Sequence, residues 1–440
     1  MPISRRSLIR SAAALALGRA ARSADMITLS PGPKDVEMPV SGFVDEITPV
    51  GNFFVRCHTL IPAVNAAEWK LELGGLVDKP ISFTLAELKQ FPHLDLVAVL
   101  ECAGNGRSFF QPRVAGAQWQ FGSVGCARWT GVRLRDVLAK AGVKPGVTQI
   151  LMDGADVPMG TMPKFQRTIE ISKALDPDTL LAWDMNGKPL TPDHGFPLRV
   201  IAPGWASDSW CKWLTKLEPM DHEFEGFWMK TAYRHPNHHV EPGAAVDAKD
   251  MTPVTDLNVK SVIAIPGAVV RPGRVAVIGM AWSNASPLTK VELSVDGGKT
   301  WASARFTGKG TKYGFRKWTY DWRVSDGEHI LISRATNAAG QTQPMEAEWN
   351  PNGYLYNAAQ PRRISVGSAA ADHPVEQPPA GPASYQAACF SCHDDHMMRM
   401  QRLTRAQWDR EITKMTGWGA QVKAEDRPAL LDYLASIFKP

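Results

Sequence analysis

One cysteine stands where its thiol could bind a metal. Residues 94–100 form an apolar run typical of a buried strand, and Cys102 follows where that run opens into the small-residue loop 103–106. Arg107 brings a guanidinium five positions later. A thiolate is a soft metal ligand, but free cysteines are also among the most buried residue types. The residues alone therefore leave two interpretations of Cys102, a ligand or a small buried side chain.

A second cysteine motif lies near the C-terminus. Cys389, Cys392 and His393 form C-x-x-C-H, the attachment pattern of c-type haem, in which both thiols bind the porphyrin and the histidine binds the iron. A redox dithiol and half of a zinc site are the alternatives. No second cysteine pair follows Cys392 to complete a zinc site. The motif therefore favours one covalent haem c.

A haem iron needs a second axial ligand, and a methionine is the usual partner of histidine. Helices are predicted over residues 404–414 and 427–438, and Met415 stands at the end of the first. Met397, Met398 and Met400 are rivals, but they lie so close to His393 in sequence that reaching the opposite haem face is sterically awkward. We predict Met415 as the ligand.

Basic side chains interrupt several apolar stretches. Arg56 and His58 end a predicted strand over residues 53–58, His194 and Arg199 flank a turn leading into another strand, and Lys212 lies between two tryptophans. Such groups could form a solvated rim. Guanidinium and ammonium groups on neighbouring loops are also what a phosphate-bearing organic cofactor requires.

The chain divides into segments of different composition. Its 440 residues predict two or three domains. Residues 25–250 mix strands and helices as an α+β domain, with a capped helix at 84–88 and a turn near 127–133 before an amphipathic helix. Residues 251–366 show short alternating runs and a hairpin signal at 296–298, typical of an immunoglobulin-like β-sandwich. A Pro- and Ala-rich linker at 367–384 precedes a small all-α domain at 385–440.

The first 24 residues have the order of parts of a twin-arginine export signal. Arg5 and Arg6 precede a weakly apolar run and then small residues. We therefore expect a periplasmic protein, exported already folded. This segment holds five arginines and no acid, so its removal would cancel the formal charge of +5. A chain without net charge has no global basic field for nucleic acid or an anionic membrane. An oxidising compartment permits disulfides among the six cysteines, but a chain this large does not need them.

Together these motifs resemble the sulfite oxidase family of molybdenum enzymes over residues 40–366, here fused to a C-terminal cytochrome c domain. The resemblance implies that Cys102 binds molybdenum beside one molybdopterin and that Arg107 lines the oxyanion side. It places Arg56 and His58 near the active site and the pterin. The groups that would hold the pterin and its phosphate are His194, Arg199 and Lys212. The β-sandwich corresponds to the family's dimerisation domain, which implies a homodimer.

The implied activity is that of a sulfite dehydrogenase of the cytochrome c type. Sulfite would be oxidised to sulfate by oxygen-atom transfer, with Arg56 and Arg107 orienting the anion. The electrons would pass through the fused haem c to an external cytochrome.

Two positions depart from the family pattern and leave alternatives open. Phe224 stands where the family's active-site tyrosine is expected, although Tyr233 downstream could substitute for it. Asn352 stands where sulfite oxidases often carry an arginine. A substrate pocket with fewer cations would bind a free dianion less well. This favours a second candidate function, a sulfane dehydrogenase of a thiosulfate-oxidising system that acts on carrier-bound sulfur. A haem electron carrier with a non-catalytic binding domain is the alternative from another class.

Overall fold

The structure is a computed structural model that describes residues 25–366, 381–390, 393 and 395–440. The predicted export signal, most of the predicted linker and Cys392 lie outside the described residues. None of the described helices is long and apolar enough to cross a membrane.

The first region contains fifteen strands among the described residues. In chain order they are β1 (Ile27–Pro31), β2 (Lys34–Glu37), β3 (Val55–Arg56), β4 (Lys70–Leu73), β5 (Ile81–Thr84), β6 (His93–Glu101), β7 (Val124–Arg133), β8 (Gln149–Gly154), β9 (Gln166–Glu170), β10 (Leu180–Met185), β11 (Lys188–Pro189), β12 (Arg199–Ile201), β13 (Leu214–Met220), β14 (Arg234–Pro236) and β15 (Met251–Pro253). Its α-helices are α1 (Leu85–Leu88), α2 (Leu134–Ala141), α3 (Ile171–Ala174) and α4 (Phe227–Lys230). Single turns of 3₁₀-helix cover Val40–Gly42, Val50–Asn52, Arg107–Phe109, Pro192–His194, Ser207–Ser209 and Ala248–Asp250.

Two five-stranded sheets share one core in this α+β region. One has the order β11-β10-β7-β6 with β12 also pairing β10, and the other has the order β5-β4-β13-β8-β9. Trp119, Trp129 and Trp210 are almost completely buried in the core cluster that both sheets contribute to. Removing such large aromatic areas from water is the main stabilising contribution to this region.

Local sequence signals explain most of these elements. The predicted capped helix is α1, where the hydroxyl of Thr84 accepts from the Glu87 backbone and the Glu87 carboxylate accepts from the Thr84 backbone. The predicted buried strand is β6. The turn predicted near residues 127–133 is wrong, because β7 runs without interruption from Val124 to Arg133, paired with β6 over nine positions. Pairing on both sides with β6 and β10 outweighs the local turn preference of Gly131.

The second region is a β-sandwich. Its strands are β16 (Lys260–Ile265), β17 (Val269–Val270), β18 (Gly273–Trp282), β19 (Leu288–Ser294), β20 (Ala302–Ser303), β21 (Arg305–Phe306), β22 (Arg316–Val324), β23 (Gly327–Asn337) and β24 (Arg362–Val366). They form sheets of order β16-β18-β22-β21 and β17-β24-β23-β19-β20, with a core between them that includes Trp318 and Trp322. The predicted hairpin at 296–298 joins β19 to the antiparallel β20. The alternating pattern therefore predicted this region's architecture.

Four helices form the C-terminal part of the described chain. They are α5 (Ala383–Cys389), α6 (Asp395–Arg399), α7 (Arg405–Gly417) and α8 (Arg427–Ile437). Helices α7 and α8 match the two predicted helices within three residues at each end. Trp408, Leu430 and Phe438 belong to their common core.

Candidate active site

Cys102 follows directly after β6, at the wall of a cleft in the first region. Its backbone N–H donates to the Ser123 carbonyl at 2.9 Å, and its carbonyl accepts from the Asn105 N–H at 2.9 Å, which closes a tight turn. Gly106 continues the turn with φ +89°, where a β-carbon would lie 2.6 Å from the ring of Tyr356. The loop is therefore held in one conformation that keeps the thiol facing the cleft.

The cleft is open to solvent and is lined by both charged and aromatic side chains. It brings together six of the residues predicted for the site, although they come from widely separated parts of the sequence. These lining residues are Arg56, His58, Cys102, His194, Arg199 and Lys212. The described residues hold no cluster of three or more His, Cys, Asp or Glu side chains that could bind a metal.

The thiol lies in a positive surrounding. Burial raises the pKa of Cys102, and the guanidinium groups of Arg56 and Arg107 act in the opposite direction. Arg56 forms an ion pair with the buried Asp35 at 3.1 Å. Burial works against the charge on Arg56, but Asp35, Tyr233 and Cys102 together leave its pKa raised. A permanent cation therefore stands beside the thiol, as thiolate ligation requires.

The far end of the cleft fits an anionic group. Arg199 is buried, and its Nη atoms donate to the carbonyls of His194 at 2.9 Å and Trp210 at 3.1 Å. Among the described residues no carboxylate pairs with Arg199 and its Nε has no acceptor. Burial alone lowers the pKa of Arg199 to about 9. A buried cation without an anion is costly, and a phosphate would remove that cost.

Lys212 and His194 complete this end. Lys212 Nζ donates to the Asp193 carbonyl and to Cys57 Sγ, both at 3.1 Å. Burial, with Arg199 and Lys212, lowers the pKa of His194 to about 3, so its imidazole is neutral at ordinary pH. The neutral His194 ring could hydrogen-bond a polar heterocycle, and the cations of Arg199 and Lys212 could bind a phosphate attached to it.

Tyr233, and not Phe224, supplies the phenol of the site. Tyr233 lines the cleft, and its hydroxyl lies 2.7 Å from His58 Nε2. Phe224 does not line the cleft and lies against Gly226. Phe224 therefore does not reach the cleft, and Tyr233, the alternative that the sequence offered, is the tyrosine that lines it.

Arg107 and Asn352 also differ from expectation. Arg107 is 7% exposed and does not line the cleft; its Nη atoms donate to the carbonyls of Ala117 at 3.0 Å and Asn352 at 3.3 Å. Packing against Gly104, Gly116 and Gly353 directs the guanidinium behind the Cys102 loop. The Asn352 amide donates to the Arg234 carbonyl at 2.8 Å. The charge of Arg107 therefore acts on the thiol, and its contact with the substrate stays a prediction.

Sequence reasoning missed two charged residues behind Tyr233. Arg167 and Asp208 form an ion pair at 2.5 Å with side chains 1% and 0% exposed. Arg167 occurs within a strand, and Asp208 lies in the 3₁₀ turn before Trp210. Neither residue stands out in the sequence, because Arg167 lies in a polar strand and Asp208 lies between two serines.

The haem motif is partly described. The His393 N–H donates to the Cys389 carbonyl at 3.2 Å, so these two residues are one helical turn apart. Cys389 and Met398 pack against the core of the C-terminal helices, whereas Met415, in the last turn of α7, is not part of that cluster. The assignment of Met415 as iron ligand stays a prediction.

Comparison with known proteins identifies both large regions. Residues 58–228 match the oxidoreductase molybdopterin binding domain family, and residues 251–366 match the Mo-co oxidoreductase dimerisation domain family. The chain is 33% identical over 362 residues to the mitochondrial sulfite oxidase of Drosophila melanogaster, covering 76% of this chain and 62% of that protein. It is 33% identical over 345 residues to the sulfite oxidase of Gallus gallus, covering 74% of this chain and 75% of that protein.

A solved structure is also similar. The sulfane dehydrogenase SoxCD from Paracoccus pantotrophus has a TM-score of 0.67 and 28% identity, covering 79% of this chain and 90% of that chain. Two matched domains and a cleft with a thiol at one end and an unpaired cation at the other define a molybdopterin-dependent oxidoreductase. Within that class, the chain belongs to the sulfite oxidase family.

Proposed function

We propose that this protein oxidises sulfite to sulfate with a molybdenum–molybdopterin cofactor and passes the electrons through a fused haem c to an external cytochrome c. The observation that carries the proposal is the cleft, whose lining residues include Cys102, the cation of Arg56, and Arg199 and Lys212 as candidate groups for a phosphate. When bound, molybdenum supplies two-electron oxygen-atom transfer, with Cys102 as its protein ligand.

The chain's own residues would bind and orient the anion. Arg56 is the permanently charged group that lines the cleft next to Cys102, so it would attract sulfite and offset its charge. Burial raises the pKa of Tyr233 well above its usual value. Burial also lowers the pKa of His58, with Arg56, Lys212 and Arg167 adding to the effect. The neutral phenol and the neutral imidazole therefore share one hydrogen bond, and the tautomer of His58 decides which of them donates.

The C-terminal helices contact the region that carries the cleft. Trp418 contacts Trp228 with ring centroids 6.1 Å apart, and Trp228 contacts His58 at 4.5 Å. Gln401 Nε2 donates to the Gly116 carbonyl at 3.1 Å, and Gln407 Nε2 donates to the Arg113 carbonyl at 2.8 Å. These contacts support a haem domain that docks beside the active site.

The setting of the reaction follows from two further features. The twin-arginine pattern supports export to the periplasm, where haem attachment and an external cytochrome are available. The dimerisation domain at residues 251–366 supports a homodimer. Neither nucleic acid nor a membrane span has a place in this proposal.

Anaerobic addition of sulfite to the metal-loaded full-length protein tests the proposal. We expect the absorption spectrum to change to that of reduced haem, and Cys102→Ala to abolish the change while the iron content stays the same. Protein with stoichiometric molybdenum and iron whose haem stays oxidised with excess sulfite would contradict it.

A sulfane dehydrogenase acting on carrier-bound sulfur is the second candidate. The similarity to SoxCD favours it, as does the engagement of Asn352 with the Arg234 carbonyl, since that position then offers no cation to a free dianion. Reduction of the haem by a persulfide-bearing carrier protein and not by sulfite would establish it. The haem carrier with a non-catalytic binding domain predicts iron without molybdenum, and family membership argues against it.

A further inference from the structure

Arg167 and Asp208 form a buried ion pair at the cleft, and Arg167 contacts the ring of Tyr233. The Arg167 guanidinium carbon lies 5.1 Å from the centroid of that ring. One Nη atom donates to Asp208 at 2.5 Å and the other donates to the Trp228 carbonyl. The edge of the planar guanidinium group thus binds Asp208 and the Trp228 carbonyl, and its face packs on the Tyr233 ring.

Tyr233 has an unfavourable backbone conformation. Its φ is +55°, a left-handed value that non-glycine residues rarely adopt. Its N–H donates to the Tyr354 hydroxyl at 3.3 Å, its carbonyl accepts from the Val254 N–H at 2.9 Å, and its ring stacks on that of Tyr354 at 5.2 Å. Such strain persists only when surrounding contacts hold the residue in place. Arg167 covers the ring as well.

We propose that Arg167, fixed by Asp208, is a positioning residue that holds the Tyr233 phenol against His58 in the cleft. This inference rests on the proposed function and deepens it, because it assigns the support of the site's phenol to a residue that does not reach the substrate. Asp208 lines the cleft but Arg167 does not.

The pair acts through geometry and not through net charge. Asp208 offsets the charge of Arg167 at 2.5 Å, so the two together add little to the attraction of an anion. Lysine at position 167 would keep the charge but lose the planar fork, and it could not bind Asp208 and the Trp228 carbonyl while stacking on Tyr233. A positioning role therefore predicts that Arg167→Lys fails to rescue Arg167→Met.

A double-mutant cycle with Arg167→Met and Tyr233→Phe tests the proposal. We expect Arg167→Met to lower kcat roughly tenfold to a hundredfold, since a displacement of about 1 Å has effects of this size, with little change in KM. If Arg167 acts through the Tyr233 hydroxyl, adding Arg167→Met to Tyr233→Phe lowers kcat no further. Additive losses would overturn the proposal.

Crystal structures provide a readout independent of activity. In Arg167→Met and Arg167→Lys, the distance between the Tyr233 hydroxyl and His58 Nε2 should increase from 2.7 Å to beyond about 3.5 Å. Asp208→Asn is a milder variant for use if the others fail to fold, and it should cause a smaller displacement in the same direction. Arg362→Met is the matched control, because its guanidinium bonds the Ile263 and Ala264 carbonyls in the sandwich and does not contact Tyr233.

The two proposals fail in different ways. An unmoved Tyr233 in all three variants overturns the positioning role, even if sulfite reduces the haem. A displaced Tyr233 in a protein that does not oxidise sulfite leaves the positioning role intact and contradicts the proposed substrate.

Discussion

At the scale of single residues, the cleft holds side chains that burial keeps in unusual protonation states. His194 and His58 are neutral rings beside cations, and Arg199 is a cation without a carboxylate among the described residues. These states are unfavourable for the protein without its cofactor. They become favourable when an anionic cofactor binds, because its phosphate then pairs with Arg199 and Lys212.

His194→Gln should reduce the loss of unfolding free energy that occurs when the pH is lowered below about 6.5. The usual pKa of 6.5 applies to the unfolded chain and about 3 to the folded one, so below pH 6.5 the unfolded state binds the extra proton. Wild-type stability therefore falls as the pH is lowered from about 6.5 to about 3, with up to about 1.4 kcal/mol per pH unit from this group. Urea unfolding of the cofactor-free protein at pH 7, 5 and 4 measures it. His222→Gln, at a histidine that stays in solvent, is the control, and parallel profiles of His194→Gln and wild type would contradict the prediction.

At the scale of elements, the end of β6 is fixed by the second region. The Glu101 carboxylate accepts from Lys260 Nζ at 2.6 Å and from Trp282 Nε1 at 2.7 Å, both in the sandwich, and from the Asn105 amide at 2.8 Å in its own loop. The Leu355 N–H donates to the Ala103 carbonyl at 2.8 Å. The loop that carries Cys102 is therefore held from both sides.

Lys260→Met should destabilise the protein strongly. It leaves the Glu101 charge buried without its cation, a change that typically costs about 3–5 kcal/mol of unfolding free energy. We also expect a lower molybdenum content, since the Cys102 loop loses a support. Adding Glu101→Gln should recover part of the stability by removing the unpaired charge. Lys290→Met, which breaks the more exposed pair with Glu292, should cost less than about 1 kcal/mol in the same urea titration; equal losses in the two lysine variants would contradict the prediction.

Sequence patterns predicted those parts of the site that lie within short motifs. Cys102, His194, Arg199 and Lys212 stand out because polar groups interrupt apolar strands and turns. The sequence offered Tyr233 only as an alternative to Phe224 and did not indicate Arg167 or Asp208. The contacts of these residues join positions 41 to 175 residues apart and depend on a left-handed backbone at Tyr233. Arg107 shows the same limit, since its inward direction depends on glycines as distant as Gly353.

At the scale of the whole molecule, the three described regions pack together through shared cores. Phe43 of the first region stacks on Trp282 of the sandwich at 6.1 Å. The C-terminal helices contact the first region through Gln401, Gln407 and Trp418. The haem motif therefore belongs to a region that docks on the cleft-bearing region.

Trp418→Ala should weaken this docking. It removes the ring contacts with Phe227 and Trp228. It also weakens the neighbouring hydrogen bond, in which Thr161 Oγ donates to the Gly417 carbonyl at 2.7 Å. We expect roughly tenfold faster amide hydrogen exchange in residues 157–164 and at the end of α7. Trp301→Ala, which removes a tryptophan stacked on Arg334 in the sandwich, is the control and should leave these amides unchanged. Unaltered exchange in Trp418→Ala would show that the other contacts suffice for docking.

The bonds from Lys260 and Trp282 to Glu101 have a consequence for the order of maturation. Glu101 reaches its buried place only after the sandwich, which is made later in the chain, has folded against the first region. The pocket that receives the cofactor is therefore complete only after the sandwich has folded, and a chain ending near residue 250 should fail to retain molybdopterin. Cofactor loading would then depend on complete synthesis of both regions, so that a truncated chain would hold no cofactor.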